Sequence, residues 1–146
     1  MKNLFTFTFL LFVLTFSYSQ SWELGVNHSS VNANDNSVNQ TETAIAVDTY
    51  GNVYKAGFFT NASVNFGTGP IANNGGTDAF LVKYDPNGTV LWSFGYGGAG
   101  DEKITDLAVT TGTVWGDNIV VIGTFNSTFT IGGSSMTPSI GDDDLF

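Results

Sequence analysis

The sequence predicts an all-β protein built from repeated antiparallel units of four strands, and three observations support this. The chain has 146 residues with 18 glycines, and it is rich in Thr, Val, Asn and Ser. Such a composition suits short strands joined by tight turns. Short sequence segments recur 62 to 66 residues further along. Within each recurring unit, short apolar runs alternate with turn signals, which is typical of repeat architectures.

The repeat is visible at several places along the chain. The recurring pairs are Ala46-Val47 with Ala108-Val109, Gly57-Phe58-Phe59 with Gly123-Thr124-Phe125, and Asp78-Ala79-Phe80 with Asp144-Leu145-Phe146. Upstream, Trp22-Glu23-Leu24-Gly25 also resembles Trp92-Ser93-Phe94-Gly95, at a separation of 70 residues. The offset grows from 62 to 66 because residues 48–52 are replaced by the longer segment 110–118. An insertion confined to one turn, with the register kept on both sides, indicates copies of one structural unit.

Each unit is predicted to contain four strands. In the first unit we expect them at residues 44–47, 53–59, 79–84 and 90–94. The second strand and its counterpart at 119–122 are apolar without alternation, which is typical of a strand sandwiched between neighbouring sheets. Asp85-Pro86-Asn87-Gly88 carries the residues that a type I turn prefers. We expect residues 60–76, which are polar and rich in Gly and Asn, to form a surface excursion between the second and third strands.

Four antiparallel strands per repeated unit are what a β-propeller blade needs. The residues also resemble the bacterial β-propeller repeats called SBBP-type, over Trp22 to Phe146 and most specifically over Asp78 to Gly98. The matching residues are Ala46-Val47-Asp48, Gly51-Asn52-Val53-Tyr54, Gly57-Phe58, Asp78-Ala79-Phe80-Leu81-Val82-Lys83-Tyr84, Asn87-Gly88, Leu91-Trp92 and Gly97-Gly98. The resemblance implies a secreted or cell-surface bacterial protein, usually without a defined activity. The second unit departs from the pattern where residues 113–117 interrupt the Gly-Asn turn.

These observations divide the chain into four parts. Residues 1–19 are predicted to be a signal peptide, and residues 20–43 an N-terminal strand with a polar loop. Residues 44–103 form the first propeller repeat, and residues 104–146 form a second repeat that is truncated. A propeller needs roughly four to eight blades. Because the last three residues match the start of a third strand, we expect the natural chain to continue beyond Phe146.

The first nineteen residues have the layout of a secretory signal peptide. Lys2 is followed by an apolar run at residues 4–16, and Ser17 and Ser19 place small residues at the −3 and −1 positions of a cleavage site. The apolar run is shorter than the roughly 20 residues that a membrane span needs. We therefore expect an exported protein, secreted or at the cell surface, with no membrane span after cleavage.

Charge and cysteine content exclude several classes of function. The chain carries 13 acidic residues against 4 lysines, a net charge of −9, which repels the phosphates of nucleic acids and of anionic lipids. Nucleic acid is therefore not an expected partner. Cysteine is absent, so disulfides and thiolate metal sites are excluded.

Acidic residues offer the only metal candidates. Asp101, Glu102, Asp142 and Asp143, with Asp106 and Asp144 beside them, carry oxygen ligands of the kind that Ca²⁺ binds. No EF-hand run of the form D-x-[DN]-x-[DN]-G occurs. Turn capping and solubility are therefore the preferred roles of these residues, with a calcium site as the alternative.

We predict no catalytic and no cofactor-binding residue in this chain. Gly95 to Gly100 matches G-x-G-x-x-G, but a dinucleotide site needs a helix to follow, and a Gly-rich connection between blades fits better. His28 is the only histidine, and no nucleophile elbow accompanies it.

The preferred function is a binding, adhesion or structural module, because a fold does not imply chemistry. The alternative is the N-terminal part of an exported carbohydrate-active enzyme, a hydrolase or lyase, whose catalytic residues lie outside this chain. Loops carry function on a rigid scaffold, and we expect recognition at residues 60–76 and 110–118. Their Asn, Thr and Gly content suits a neutral glycan or a surface protein.

Signal-peptide cleavage between Ser19 and Gln20 is a first testable prediction. The exported protein should lack residues 1–19 when its intact mass is measured. A mature chain that still carried Met1 to Ser19 would contradict the predicted export signal.

Overall fold

The computed structural model describes residues 39–113, 116–139 and 143–146, with only the backbone at 111–113 and 116–117. The predicted signal peptide, His28, and most of the predicted N-terminal strand and loop lie outside these ranges. Every described element is a strand. The strands are β1 (Gln40–Val47), β2 (Val53–Phe59), β3 (Ser63–Asn65), β4 (Pro70–Ala72), β5 (Asp78–Tyr84), β6 (Val90–Tyr96), β7 (Glu102–Thr113), β8 (Gly116–Phe125), β9 (Phe129–Ile131), β10 (Ser134–Met136) and β11 (Asp144–Leu145).

The predicted all-β class is confirmed: the sheets are antiparallel, none is closed, and no helix occurs in the described residues. It follows that no helix of those residues is long and apolar enough to cross a membrane. The first sheet has the order β1-β2-β5-β6, and its strands coincide with the four predicted ones. Only β1 starts clearly earlier than predicted, because its polar first residues, Gln40 and Thr41, pair with Phe59 and Phe58 without carrying an apolar pattern.

The second sheet has the order β11-β8-β7, which is the order β5-β2-β1 of the first sheet. The pairing is also the same in register: Ala46 faces Tyr54 in the first sheet, and Ala108 faces Val120 in the second. Each sheet has a β-bulge at the corresponding place, between Glu42 and Ala44 and between Ile104 and Asp106. The two sheets are thus built alike.

The bulge is held by one threonine and one glycine. Thr43 Oγ1 donates to the carbonyl oxygen of Ala56 at 3.3 Å, and Thr105 Oγ1 donates to that of Ile122 at 3.1 Å. Gly57 lies opposite the first bulge, where an added Cβ would meet the Thr41 carbonyl oxygen at 1.9 Å. The backbones therefore approach more closely here than any side chain allows.

The two sheets stack face to face. Tyr54, Ala56, Ala79 and Leu81 of the first sheet form one buried apolar cluster with Ile104 and Leu107 of the second. Val109, Ile119, Val121 and Phe146 of the second sheet pack against the same cluster. A direct hydrogen bond joins the sheets, because Thr43 Oγ1 also donates to the carbonyl oxygen of Ile104 at 2.5 Å.

The opposite face of the first sheet is covered by the hairpin of β3 and β4, which lies within residues 60–76. Val64 and Phe66 are buried and Ile71 packs beside them, with the rings of Phe66 and Phe80 4.7 Å apart. The segment lies between the second and third strands of the sheet as expected, but it contains a hairpin whose Val64 and Phe66 are buried, which was not expected. Polar residues dominate the composition of this segment, but its large apolar side chains, Val64, Phe66 and Ile71, pack against the first sheet.

The stacked sheets have two distinct ends. The turn end carries the β1–β2 and β5–β6 turns, together with the last residues of β7 and the first residues of β8. The junction end carries the β2–β5, β6–β7 and β8–β11 connections. The strands β1 and β7 start at the same end, since Thr43 contacts Ile104 and Glu102 N donates to Thr77 O just before β5. The connection of residues 60–76 begins and ends at the junction end, but its hairpin extends over a face of the first sheet, where a Cβ on Gly67 would lie 3.6 Å from Val90. The described residues of 110–118 lie at the turn end of the second sheet.

Substitution of Gly57 tests the bulge. Gly57→Ala places a methyl group against the Thr41 carbonyl, which should lower the free energy of unfolding by about 2 kcal/mol, as overpacking typically does. Thermal melts followed by circular dichroism measure this. Gly132→Ala is the control, because a Cβ there meets no atom within 4 Å and adds only the strain of a positive φ. A Gly57 variant as stable as the Gly132 variant would contradict the close approach.

Candidate functional site

The junction end brings three connections of the chain together. Thr77 and Asp101 form a parallel β-bridge, and Glu102 N donates to Thr77 O at 2.7 Å. The N–H groups of Gly76 and Thr77 both donate to Gly100 O. The glycine-rich connection that follows β6 is therefore fixed to the connection that precedes β5.

Glu102 lies fully buried at the centre of this end. Its Oε2 accepts the N–H of Gly98 at 2.7 Å, and its Oε1 accepts the hydroxyl of Ser127 at 2.6 Å. Buried carboxylates are stabilised when hydrogen-bond donors take the place of water. Glu102 thus ties the β6–β7 connection to the loop after β8.

Asp78 is a second buried carboxyl group, at the start of β5. Its Oδ2 accepts the backbone N–H of Asn74 at 2.9 Å and the side-chain Nδ2 of Asn74 at 3.1 Å. Its Oδ1 has no hydrogen-bond partner among the described residues. Burial raises the pKa of Asp78 above its usual value, and the negative charge of Glu102 adds to the increase in pKa.

Asp101 stands beside Glu102 but is only half-buried. Its N–H donates to Asn126 Oδ1 at 2.7 Å, and Asn126 N donates back to the Asp101 carbonyl at 3.1 Å. Its side chain lies over Gly76, where an added Cβ would meet Asp101 Oδ1 at 2.5 Å. Asp101 therefore helps to order the loops around it.

Three of the four metal candidates, Asp101, Glu102 and Asp143, lie within the described residues. Glu102 uses both carboxylate oxygens within the protein, Asp143 is exposed, and Asp142 lies outside the described residues. Asp144 and Glu102 both pair with Phe125 from opposite sides, so β8 separates them by about 10 Å, or two strand spacings. Within the described parts of the chain, no three His, Cys, Asp or Glu side chains form a group that would hold a metal ion. Calcium binding that involves Asp142 stays a prediction.

At the turn end, Asp48 organises the β1–β2 turn. Its carboxylate accepts the N–H groups of Tyr50 and Asn52, the Asn52 side-chain amide and the Tyr54 hydroxyl. Lys83 Nζ lies 3.6 Å from Asp48 Oδ2. Burial by itself would raise the pKa of Asp48, but the hydrogen bonds from Asn52, Tyr50 and Tyr54 together lower it. Sequence reasoning treated this segment only as a turn, although Asp48 and Asn52 at its two ends are a recognisable capping pair.

The G-x-G-x-x-G run proves to be a connection between strands. Gly95 lies in β6, residues 97–101 form the loop, and β7 follows directly as a strand. There is no helix N-terminus at this point to bind a pyrophosphate. The interpretation as a glycine-rich connection between sheets agrees with this geometry.

A shallow groove of about 450 Å³, which sequence reasoning missed, lies along β1 and β2. It is lined by Glu42, Thr43, Ala44, Ile45 and Lys55. Lys55 Nζ lies 3.0 Å from Glu42 Oε1, so the groove combines an apolar floor with one ion pair. No sequence motif indicates this groove, because its shape depends on the β-bulge of β1 between Glu42 and Ala44.

The outside of the junction end is the best candidate for recognition. We call it the junction surface: its exposed residues are Asn74, Gly75, Gly76, Ala99, Asn126 and Thr128. They come from three separate connections held together by the buried carboxyl groups. The surface presents amide, hydroxyl and backbone groups and no basic side chain.

Comparisons with protein-family models, with curated proteins and with solved structures found no match to this chain. The resemblance to SBBP-type repeats therefore rests on the sequence pattern alone.

Replacing Asp78 tests the cost of its burial. A carboxyl group whose pKa is raised on folding stabilises the protein fully below pH 3.8, and the stabilisation is lost as the pH rises through the raised pKa. Asp78→Asn keeps an acceptor for Asn74 and removes the charge. The variant should therefore gain stability relative to the wild type between pH 4 and pH 7, as measured by thermal melts.

Asp85→Asn is the control of opposite sign. Asp85 accepts the N–H groups of Thr89 and Asn87, which lower its pKa. This variant should be less stable than the wild type at pH 7, and the difference should shrink at acidic pH. An Asp78 variant that followed the same trend as the Asp85 variant would contradict the account of Asp78.

Proposed function

We propose that this chain belongs to an exported β-propeller of SBBP-type repeats, which acts at the cell surface as a binding, adhesion or structural module. Its ligand would be a neutral glycan or a surface protein. The observation that carries the proposal is that two stacked sheets share strand order, register and bulge position. Sheets that stack as repeated units expose their connections at the two ends, and recognition uses such connections.

The junction surface is the preferred binding site. Residues 73–76 lie at the junction end, whereas the described residues of 110–118 lie at the turn end. We prefer the junction end because three connections of the chain meet there. At the junction end, Glu102 holds the loops around Gly98 and Ser127 in fixed positions. A preorganised loop set loses less conformational entropy when a ligand binds.

Burial argues against catalysis by Asp78 and Glu102. A carboxyl group with a raised pKa beside a second carboxylate resembles the acid and base of a glycosidase. However, the side chains of Asp78 and Glu102 are both buried and cannot reach a substrate. The alternative is an enzyme whose catalytic residues lie outside this chain. The hydrolase and lyase assays that accompany the binding screen test it.

A binding screen tests the proposal. The exported protein is applied to an array of neutral and charged glycans and to a panel of surface proteins, beside assays for polysaccharide hydrolases and lyases. We expect binding to a neutral glycan or a protein that changes little with salt, unlike the counterion-driven binding of nucleic acids.

Two matched variants locate the site. Ala99→Arg adds a long charged side chain to the junction surface, and Thr49→Arg adds the same side chain at the exposed β1–β2 turn. Binding should weaken roughly tenfold or more in the first variant only, as expected when a charge is buried without a partner. Polysaccharide turnover that disappears when the half-buried Asp101 is replaced would instead favour the enzyme.

A further inference from the structure

Two asparagine side chains of the junction surface are held by partners that allow only one orientation of the amide. Asn74 Nδ2 donates to Asp78 Oδ2 at 3.1 Å, which leaves Asn74 Oδ1 as the unused amide atom. Asn126 Oδ1 accepts the N–H of Asp101 at 2.7 Å, which leaves Asn126 Nδ2 unused. Both residues are exposed, and neither unused atom has a hydrogen-bond partner within the described ranges. The surface therefore presents one fixed acceptor and one fixed donor.

The carboxylate of Asp101 adds a second acceptor. Asp101 is half-buried, and its side-chain oxygens accept no hydrogen bond from any described residue. An added Cβ on Gly76 would meet Asp101 Oδ1 at 2.5 Å. An added Cβ on Gly100 would meet Asn126 Oδ1 at 2.2 Å. The two glycines thus leave the space that these two polar side chains occupy.

The three polar side chains lie around one stretch of backbone, residues 99–100. Gly75, which follows Asn74 in the chain, lies against the first of these residues, because an added Cβ there would meet the carbonyl carbon of Ala99 at 2.4 Å. Asn126 lies against the second residue. Asn74, Asp101 and Asn126 therefore border a single surface, and we call them the polar set.

The first unit shows which contacts at this place the fold itself needs. Asn126 N donates to Asp101 O at 3.1 Å, and at the equivalent place Thr60 N donates to Asn39 O at 3.0 Å. The equivalence follows from the offsets of 62 and 66 residues. The backbone hydrogen bond is the same in both units, whereas the side chains differ. The fold therefore requires the backbone contact but not the carboxylate of Asp101 or the amide of Asn126.

We propose that the polar set binds the hydroxyl groups of an uncharged glycan. The inference rests on the function proposed above, and it names the class of ligand and the residues that contact it. A hydroxyl group donates and accepts through one oxygen atom, whereas a peptide N–H only donates and a peptide carbonyl only accepts. Neighbouring sugar hydroxyls therefore accept from Asn126 Nδ2 while they donate to Asp101 and to Asn74 Oδ1.

The charge and the rigidity of the polar set favour this class of ligand. The Asp101 carboxylate and the net charge of −9 repel acidic sugars. A hydrogen bond to a charged acceptor is stronger than one between neutral groups, so a hydroxyl gains most at Asp101. Asn74 and Asn126 are already held by hydrogen bonds, and they lose little conformational entropy when a sugar binds.

Calorimetric titration of the exported chain with neutral polysaccharides tests the proposal. The probes are a glucan, a mannan and a galactan, each beside its fully O-methylated form, which keeps oxygen acceptors but has no hydroxyl to donate. The wild type should bind at least one native polysaccharide, and its affinity for the O-methylated form should be lower by about tenfold or more. Equal affinity for the two forms would overturn the hydroxyl contacts.

Two isosteric substitutions test the residues. Asn126→Asp keeps the oxygen that accepts the Asp101 N–H and replaces the Nδ2 donor with an acceptor. Asp101→Asn removes the charge and leaves the backbone hydrogen bonds to Asn126 in place. Each should weaken polysaccharide binding about tenfold or more. Asn118→Asp is the control, because it makes the same change at an exposed residue of the turn end, and circular dichroism checks that each variant folds.

The outcomes separate this inference from the function on which it rests. A polysaccharide that Ala99→Arg displaces, but that binds both isosteric variants as tightly as the wild type, would overturn the polar set alone. A surface protein that Ala99→Arg displaces, with no polysaccharide bound, would overturn the glycan and keep the junction surface as the binding site. A ligand that Ala99→Arg leaves bound, or the absence of any ligand, would overturn both proposals.

Discussion

The apolar contact between the two sheets is the interaction on which the rest of the structure depends. Tyr54 and Ala79 on one side meet Ile104 and Leu107 on the other, and burial of large apolar side chains such as Ile104 and Leu107 contributes roughly 1.5–3 kcal/mol each. Without this contact, Ile104 and Leu107 of the three-stranded second sheet would lose the first sheet as a packing partner. The contact also sets the spacing at which Thr43 reaches Ile104 and at which the loops of the junction end meet.

The buried carboxyl groups at the two ends of the stacked sheets differ in how many hydrogen-bond donors they receive. At the turn end, Asp48 receives donors from Tyr50, Asn52 and Tyr54, which outweigh the cost of its burial. At the junction end, Asp78 has one carboxylate oxygen without a partner among the described residues, and Glu102 adds a second negative charge nearby. The junction end therefore combines a fixed loop arrangement with an unrelieved electrostatic cost, which is more usual at functional sites than in purely structural turns.

Much of the fold was predictable because local signals agree with it. The apolar runs, the Asp85-Pro86-Asn87-Gly88 turn and the recurring segments located the strands of the first sheet to within a few residues. The hairpin of β3 and β4 was missed because Val64 and Phe66 are isolated among polar residues, and only their burial against the first sheet shows their role. Turn capping was the preferred role for the acidic residues at the start of β7, but the sequence did not show the partners of Glu102. Glu102 accepts hydrogen bonds from Gly98 and from Ser127, which is 25 residues away in the chain.

The sequence by itself determined the strand-rich class and the positions of the four strands of the first sheet, because strand and turn preferences act over a few residues. Only the tertiary structure decided which apolar residues are covered. Tyr54 and Val120 hold equivalent places, yet one is fully buried and the other is half exposed. The same holds for Leu107 and Ile45, of which only Leu107 meets another sheet. Burial depends on what stacks against a sheet, and local sequence carries no information about that.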